Sequence, residues 1–395
     1  MLDGVGPLEW NAAADRERTA GGGVLRWPAV RVLAPLGTES VYVFPARAAA
    51  PTLLASWPRT DRAGHTVRFF PGCRWIVIES PDTSAAAADD SNSTSVPALE
   101  EVERPKRLRF HAANGALLAE VHSADKPMPL GRNLLLWPQS PANDEDPPQL
   151  RVRRMPDGDD RAAWAAVTGW GAASPLENFL AANTVGLLDP ATGLRQDELR
   201  LMDLDGKVLW TRSVGADPRE FSVSNFGDVA IARDRMLRVY DRSGAEKLRA
   251  ALPKNVVGKT AISSDGRFVL VAARAPLAGR AERDLWVALF STASRTPLWT
   301  RRDLGAKGAD VLELSLSDEG PRALLRLSTG TVALLGRDGA TLVLWNLERV
   351  SRGEYDAGVV PRRTWLSRDG ALVALTTPVA RSLAEARGWL YKVSR

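Results

Sequence analysis

Histidine and cysteine, the residues that most often bind soft metals or act as nucleophiles and bases, are scarce in this 395-residue chain. The sequence contains three histidines, His65, His111 and His122, and one cysteine, Cys73. A structural zinc site needs four such ligands, usually in closely spaced pairs, and no pair here has that spacing. We therefore predict no metal site, no bound cofactor and no histidine-based catalytic centre.

Two short motifs match parts of ligand-binding loops but lack the residues that would complete them. Gly258–Thr260 matches the end of a phosphate-binding loop, yet Pro253 occupies the position of the first glycine. Asp203–Gly206 matches the start of a calcium loop without the later carboxylates, so a β-turn is the better interpretation. Neither a Gly-x-Ser-x-Gly elbow nor a His-Glu-x-x-His motif occurs. We assign no catalytic residue, although carboxylates gathered in space remain an open alternative.

The elements that must position the polar residues recur through the second half of the chain. Four tight turns begin with serine and end with glycine, and an apolar, strand-like run follows each one. Their glycines lie 39, 54 and 50 residues apart. A period of about 40–50 residues with several strands in each unit is typical of a β-propeller. The turns are Ser224–Gly227, Ser263–Gly266, Ser317–Gly320 and Ser367–Gly370.

The same spacing predicts the domain organisation. Residues 24–395 are expected to form one all-β domain, a β-propeller of seven blades with four antiparallel strands each; six and eight blades remain open. The clearest blade spans Phe221–Leu252. The last repeat lacks an outer strand, and a strand near Leu25–Leu33 is expected to cover that open edge. Residues 1–23 are interpreted as a flexible tail and Arg161–Val167 as a short helix.

Two segments have the composition of acidic loops inserted between strands. Residues 79–104 contain seven acidic residues and one arginine, and residues 140–146 contain three acidic residues. Low hydrophobicity with excess charge favours disorder, so both are interpreted as insertions into the propeller. The chain has a formal net charge of +5, which becomes +11 without residues 79–104 because that segment alone carries −6.

Two stretches resemble the repeats of known propeller families. Asp203–Trp210 resembles the outer-strand signature of PQQ-type repeats, and Gly339–Leu347 is similar to the end of a WD40 repeat. The resemblance implies a propeller and leaves the subfamily open. PQQ-dependent alcohol dehydrogenases use a disulfide between adjacent cysteines, and exported outer-membrane assembly propellers carry a lipoprotein signal. Cys73 fits neither pattern, so the resemblance implies neither that enzyme activity and cofactor nor membrane anchoring.

Thirteen tryptophans are many for a chain in which only 7% of the residues are aromatic. Several end apolar strands, where a large amphipathic ring fits packing between blades. Packing is therefore the preferred interpretation, and an aromatic cage for a ligand is the alternative. Examples are Trp137, Trp210, Trp299 and Trp345.

Basic residues are predicted to collect on one face of the propeller. The loops that join the second and third strands of a blade lie on the same face as the loops between blades, opposite the tight turns. The turn face carries acidic and basic residues together and is expected to be nearly neutral. The loops of the basic face carry Arg233, Arg235, Lys254, Lys259, Arg274, Arg280, Arg283, Arg301, Arg302, Lys307, Arg381 and Arg387.

These observations favour a non-catalytic scaffold or regulatory subunit that binds a protein partner with an acidic surface through the basic face. Nucleic-acid binding through the same face is the first alternative, and a hydrolase or lyase with a site in the central channel is the second. The propeller itself is expected to be a monomer within a larger complex. The single cysteine, the lack of a secretory signal and the lack of a long apolar segment predict a cytoplasmic, bacterial protein without a membrane span.

Overall fold

Apolar and alternating runs form β-strands throughout the part of the chain that the structure describes. The computed structural model describes residues 2–8, 29–33, 38–43, 52–58, 66–69, 75–81, 106–112, 116–123, 128–129, 134–139, 148–154, 158–165, 168–176, 178–188, 195–203, 205–213, 221–233, 235–252, 258–276, 283–304, 309–318, 321–346, 363–366, 370, 372–376, 379–380 and 388–393. In these ranges, no helix is long and apolar enough to cross a membrane.

The strands are short and follow one another closely along the chain. The first sixteen are β1 (Leu2–Leu8), β2 (Ala29–Leu33), β3 (Thr38–Val43), β4 (Thr52–Pro58), β5 (Thr66–Phe69), β6 (Trp75–Pro81), β7 (Lys106–Ala112), β8 (Leu117–Ser123), β9 (Met128–Pro129), β10 (Leu134–Gln139), β11 (Gln149–Arg154), β12 (Asp159–Ala165), β13 (Thr168–Ala173), β14 (Phe179–Leu188), β15 (Arg195–Asp203) and β16 (Val208–Ser213). The others are β17 (Phe221–Val223), β18 (Val229–Arg233), β19 (Met236–Tyr240), β20 (Glu246–Ala251), β21 (Gly258–Ile262), β22 (Phe268–Pro276), β23 (Arg283–Ser291), β24 (Pro297–Arg301), β25 (Val311–Leu316), β26 (Ala323–Leu327), β27 (Thr331–Leu335), β28 (Thr341–Asn346), β29 (Arg363–Leu366), β30 (Leu372–Thr376), β31 (Val379–Ala380) and β32 (Gly388–Val393).

Within the described residues, these strands pair into eight four-stranded sheets. Six sheets consist of four consecutive antiparallel strands: β5–β8, β9–β12, β13–β16, β17–β20, β21–β24 and β25–β28. The predicted blade at Phe221–Leu252 is the sheet β17–β20, so the all-β prediction and its four-stranded antiparallel unit are confirmed there. Seven blades were predicted, whereas eight sheets are described. Three of the eight contain the strands β2–β12, which lack the serine–glycine turn that marks the later repeats, so their number could not be counted from that turn.

The hydrophobic core is divided into clusters that lie between sheets adjacent in the chain. One cluster joins β17–β20 to β21–β24 and includes Val239, Leu248 and Trp286. The next joins β21–β24 to β25–β28, and three more join the successive sheets from β5 to β20. Sheets that pack face to face in chain order are the arrangement of propeller blades. Each leucine buried there stabilises the fold by about 1.5–3 kcal/mol.

The burial of a strand follows its place in the sheet. The second strand β18 is buried over Val229–Ala232, and that segment is apolar throughout because neighbouring sheets cover both of its faces. The outer strand β20 alternates between exposed and buried residues over its second half, as expected when only one face packs. Continuous apolar runs in this sequence therefore indicate inner strands, and alternating runs indicate outer strands.

Strands from the two ends of the chain share two of the sheets. β1 lies antiparallel to β32 and is the outer strand of the sheet that also contains β29 and β30. β31 lies parallel to β2 and joins the sheet β2–β4. The missing outer strand of the last repeat is thus supplied by Leu2–Leu8, and the prediction that Leu25–Leu33 supplies it is wrong. Leu2–Leu8 belongs to the segment interpreted as a flexible tail, and it forms a strand because it pairs with the open edge of β32.

A β-bulge recurs at the same place in the order of strands. In each of the eight described sheets, the register between the third strand and the outer strand contains one irregularity. Bulges increase the local right-handed twist, and the outer strand of a propeller blade is strongly twisted relative to the inner one. Since β1 pairs with β32 in the same bulged manner, it has the pairing of an ordinary outer strand.

Two further expectations concern local segments. The short helix predicted at Arg161–Val167 is wrong: Asp159–Ala165 is the outer strand β12 and pairs with β11. Alanine and arginine favour helix locally, but pairing along β11 overrides that weak preference. Of the acidic insertion 79–104, residues 79–81 end β6, and the rest lies outside the described residues, as does the insertion 140–146.

Candidate partner-binding surfaces

The hairpins divide the connections of each sheet between two ends. Turns between the first and second strands and between the third and outer strands lie at one end, here called the turn end. Connections between the second and third strands and between sheets lie at the other end, here called the loop end. The Leu252 N–H, which follows an outer strand, donates to the carbonyl of Arg235 between β18 and β19 at 2.7 Å. This bond joins the two kinds of loop-end connection.

The structure describes the twelve basic residues of the predicted face to different extents. Arg233, Arg235, Lys259, Arg301 and Arg302 have described side chains. The first three lie at the loop end, as does Arg302 in the connection between β24 and β25, while Arg301 ends the outer strand β24. Arg274 in β22 pairs with Leu285, and Arg283 in β23 pairs with Pro276, both near the loop end. Only the backbone of the two arginines is described. The remaining five, Lys254, Arg280, Lys307, Arg381 and Arg387, lie outside the described residues.

Arg235 has an unusual backbone conformation. It lies in the two-residue connection between β18 and β19 with φ = 64°, and it is the sole described non-glycine residue with a positive φ. A side chain in this left-handed region costs roughly 1–2 kcal/mol relative to the right-handed region. The Arg235 side chain is exposed, and it makes no ion pair or hydrogen bond within the described residues. The Arg235 carbonyl accepts the Leu252 N–H, but no described contact of the side chain offsets this strain.

Arg301 has a structural role that the sequence did not reveal. Its Nε donates to Asp303 Oδ1 at 2.6 Å, and this hydrogen bond raises the pKa of the guanidinium. A second guanidinium nitrogen donates to the carbonyl of Gly339 in the next sheet. Beside it, the Trp299 indole N–H donates to the Arg337 carbonyl at 2.9 Å. The Arg301 guanidinium is thus already occupied by contacts within the protein.

The same tetrapeptide makes an equivalent contact two sheets earlier. Leu209–Arg212 in β16 and the end of β24 both read Leu-Trp-Thr-Arg. The Trp210 indole N–H donates to the Asp241 carbonyl at 3.1 Å, and Arg212 Nε donates to the Gly244 carbonyl at 2.8 Å. In both places the outer strand of one sheet holds the turn of the next, a contact here called the tryptophan–arginine contact. This finding agrees with the packing role expected for the tryptophans.

The turn held by Trp210 is itself fixed by its first residue. Asp241 Oδ1 accepts hydrogen bonds from Ser243 Oγ at 2.6 Å and from the backbone N–H groups of Ser243 and Ala245 at 2.8 and 3.0 Å. The Ser243 hydroxyl is the main reason why the pKa of Asp241 lies below the ordinary aspartate value of 3.8. The ionised carboxylate therefore stabilises this turn.

The inner turns of four consecutive sheets are joined by hydrogen bonds. The Leu176 N–H donates to Asn225 Oδ1 at 2.8 Å, and the Asn225 N–H donates to the Ser264 carbonyl at 2.9 Å. The Ser264 N–H donates to Asp318 Oδ1 at 2.5 Å, and its hydroxyl donates to the other carboxylate oxygen of Asp318. These turns precede β14, β18, β22 and β26, so the bonds run from sheet to sheet across the turn end.

A cleft of about 650 Å³ opens over these joined turns. It combines exposed apolar groups with polar and charged groups from the four sheets β13–β28. The predicted basic face does not include it, because it lies at the opposite end. Its lining consists of Leu176, Asn178, Asn225, Phe226, Ser264, Asp265, Arg267, Phe268, Asp318, Pro321 and Arg337.

One residue type in the sequence already marked this cleft. The third residue of the repeated serine–glycine turns is acidic in three cases, Asp265, Glu319 and Asp369, but it is Phe226 in the first. The Phe226 side chain is 66% exposed, the largest exposure among the apolar residues described. Phe226 shares the cleft with the exposed Leu176, and neighbouring exposed apolar groups mark an interaction site more often than single ones do. The sequence interpretation treated all four turns as architecture and missed this signal.

No group of three or more histidine, cysteine, aspartate or glutamate residues is placed to hold a metal ion in the described part of the chain. His111 is buried in β7, while the side chains of His65, His122 and Cys73 are not described.

Comparison with known proteins supports the architecture. No protein-family model matches the chain, and no curated protein matches it. The crystal structure of BamB from Moraxella catarrhalis resembles it with a TM-score of 0.51 and 12% sequence identity, covering 100% of both chains. The crystal structure of Saccharomyces cerevisiae Sqt1 gives a TM-score of 0.49 and 10% identity over 93% of this chain and 96% of that one. At such identities the likeness concerns the fold alone. The stacked four-stranded sheets and the full-length similarity to BamB show that this chain has a β-propeller fold.

Proposed function

We propose that this protein is a non-catalytic scaffold that binds a protein partner with an acidic surface through its loop end. In this proposal the eight described sheets act as the blades of a ring, which holds the loop-end connections at fixed positions. Arginine and lysine side chains there pair with carboxylates of the partner, and arginine adds bidentate geometry to the charge. The cytoplasmic location expected from the composition stays a prediction.

The observation that carries this proposal is the conformation of Arg235. Glycine adopts a positive φ without steric cost, so an arginine at this position destabilises the fold. Its exposed guanidinium makes no described contact that would offset the cost. Strain at an exposed charged residue indicates that the side chain has a use outside the fold. An acidic partner would provide that use.

The acidic insertions fit the same proposal. β6 and β7 are the second and third strands of their sheet, as β10 and β11 are of theirs. The connections between them, which contain most of residues 79–104 and all of residues 140–146, therefore begin and end at the loop end. An acidic segment attached beside basic loops competes with an acidic partner. We propose that residues 79–104 reduce binding until a partner displaces them.

The proposal is tested by affinity purification from the native cell with three forms of the protein as bait. Wild type, Arg235→Gly and Arg295→Ala are compared by quantitative mass spectrometry at low and high salt. Arg295 is exposed at the turn end, so its variant removes the same charge from the other end. We expect Arg235→Gly to lower recovery of the partner about tenfold, the effect of losing one charge-assisted hydrogen bond. The matched control should recover it as wild type does.

Nuclease treatment separates the proposal from its first alternative. A protein partner stays bound after the treatment, whereas loss of all captured proteins, with a steep salt dependence, would support nucleic-acid binding at the loop end. Equal recovery by wild type and Arg235→Gly would contradict the proposed surface.

A further inference from the structure

We propose that the turn-end cleft is a second binding site, which takes an extended peptide segment of a protein partner carrying carboxylates beside an aromatic or large aliphatic side chain. The site goes beyond the proposed function, because it lies at the end of the propeller opposite the basic loops. A scaffold with a site at each end can hold two partners at once. The inference depends on three properties of the cleft: its apolar rim, its arginines and its hydrogen-bonded floor.

The apolar rim consists of two large side chains that the fold leaves in water. Phe226 is 66% exposed and Leu176 is 53% exposed, and both line the cleft. They come from adjacent sheets and are held near each other by the bond from the Leu176 N–H to Asn225. Covering such groups with an aromatic or aliphatic side chain of a partner is favourable at about 25 cal/mol per Å² of apolar surface. The rim therefore selects an apolar residue.

The unoccupied hydrogen-bond donors of the cleft favour carboxylates on the peptide. Asp318 accepts hydrogen bonds from Ser264, and Asp265 Oδ1 accepts one from Ser263 Oγ at 2.6 Å. The two arginines are different: Arg267 and Arg337 are exposed, and neither makes an ion pair within the described residues.

Arg267 lies over the ring of Phe268, with 5.7 Å between its guanidinium carbon and the ring centroid. This contact orients the guanidinium without neutralising its charge. The cleft thus holds two aspartates that already accept hydrogen bonds from the turns and two arginines whose guanidinium donors have no described acceptor. Carboxylates of a peptide complement that arrangement.

The floor of the cleft is organised before any ligand arrives. The bonds that join Asn225, Ser264 and Asp318 fix the inner turns of three sheets relative to one another. Such a floor lowers the entropy lost on binding. The volume of the cleft, about 650 Å³, lies within the roughly 300–1,000 Å³ of typical ligand sites. A cleft of this size suits a short peptide segment rather than a broad protein surface.

The test is a fluorescence-anisotropy titration of the full chain with a fluorescein-labelled peptide of sequence Gly-Glu-Phe-Glu-Leu-Glu-Gly. Two comparison peptides carry lysine in place of glutamate, or serine in place of the apolar residues. We expect the first peptide to bind and both comparison peptides to bind at least about tenfold more weakly, since each loses one class of contact. Failure of the first peptide to bind, or equal binding of the lysine peptide, would overturn the inference.

Substitutions locate the site. Phe226→Asp restores the acidic residue that the equivalent turns carry, so it is compatible with the turn, and it should weaken binding at least about tenfold. Arg267→Gln combined with Arg337→Gln should weaken binding of the glutamate peptide. The ratio between its affinity and that of the serine-substituted peptide should stay unchanged. Unchanged binding by Phe226→Asp, with an unchanged melting transition, would place the peptide elsewhere.

A loop-end control separates this inference from the proposed function. Arg235→Gly should leave peptide binding unchanged while it reduces recovery of the loop-end partner. Loss of peptide binding in Arg235→Gly would show that the peptide occupies the loop end, which overturns the turn-end site and leaves the scaffold proposal standing.

Discussion

The turn end and the loop end of this propeller use opposite means of holding their chain. At the turn end, short turns donate and accept hydrogen bonds from sheet to sheet, and Trp210 and Trp299 bind the turns of the following sheets. At the loop end, Arg235 occupies a costly backbone conformation, and its exposed side chain makes no described contact in return. The turn end contains many mutually supporting contacts, and the loop end exposes strained and charged residues.

This difference shows how one fold can separate stability from recognition. Contacts that join neighbouring sheets at the turn end stabilise the fold, and they also form a floor on which exposed groups such as Phe226 lie in fixed positions. We expect the exposed side chains at the loop end to contribute less to the fold, so that they tolerate a sequence chosen for binding. Substitutions at the two ends should therefore differ in the sign and the size of their effect on stability.

The largest effect is expected at the tryptophan–arginine contact. Trp210→Ala removes a ring that is 8% exposed together with its hydrogen bond to the Asp241 carbonyl, and it should lower the free energy of unfolding by about 3–5 kcal/mol. Urea denaturation followed by tryptophan-independent circular dichroism measures the change. The control Leu298→Ala affects a side chain that is 50% exposed in the equivalent outer strand, and it should cost about 0.5 kcal/mol or less. Similar losses of stability in the two variants would show that the tryptophan–arginine contact does not stabilise the propeller.

A second effect is expected at the turn that Trp299 holds. Gly339 has φ = +78°, and a Cβ atom there would lie 2.7 Å from the Trp299 ring. Gly339→Ala should lower the free energy of unfolding by about 2–4 kcal/mol, from the left-handed backbone and from displacement of the ring. Gly158 has φ = +76° with no atom within 4 Å, so Gly158→Ala isolates the backbone cost of roughly 1–2 kcal/mol. Equal losses measured by urea denaturation would argue against close packing at this contact.

The local rules of this fold could be predicted from the sequence. In the turn Ser263–Gly266, the serine hydroxyl accepts the N–H groups of Arg267 and Phe268 at 3.1 and 3.0 Å, and Gly266 has φ = 71°. A turn of this kind depends only on residues within a few positions of one another, so serine and glycine at fixed spacing identify it. The apolar run that follows then predicts the second strand.

Features that depend on distant pairing could not be predicted. Leu2–Leu8 contains two glycines and a proline, which disfavour a strand, and it becomes one because β32 offers an open edge from the other end of the chain. The cleft needs Leu176 beside Phe226 and Arg267 beside Arg337, and no spacing in the sequence places those pairs together. The φ of Arg235 is likewise set by the register of β18 with β19.

Removal of the acidic insertion should strengthen binding at the loop end. Replacing residues 82–103 by a short glycine–serine linker removes six of the seven acidic residues of the segment 79–104. We expect several-fold tighter binding to the loop-end partner at low salt, with the gain shrinking as salt screens the charges. Binding of the Gly-Glu-Phe-Glu-Leu-Glu-Gly peptide at the turn end is the matched control and should change less. A gain that does not depend on salt would speak against electrostatic competition.

A smaller effect concerns acid stability at the turn end. The hydrogen bond from Ser243 holds the pKa of Asp241 below 3.8, so its ionised form stabilises the fold at pH above the unfolded value. That contribution is lost as the pH falls below about 3.8 and through the lower folded pKa. Asp241→Asn keeps the oxygen acceptor and does not titrate, so the stability difference between wild type and the variant should shrink in this acidic range. A difference that stays constant down to the lowest pH at which the fold persists would contradict the assignment.

The most direct test of the division between the two ends is the free energy of unfolding of Arg235→Gly, measured by urea denaturation beside wild type. Relief of the left-handed strain, roughly 1–2 kcal/mol, should exceed the entropy cost of glycine, roughly 0.5–1 kcal/mol. We predict that the variant is more stable by up to about 1 kcal/mol while it recovers less of the loop-end partner. A variant that is less stable than wild type would contradict this account, because Arg235 would then belong to the fold and not to recognition.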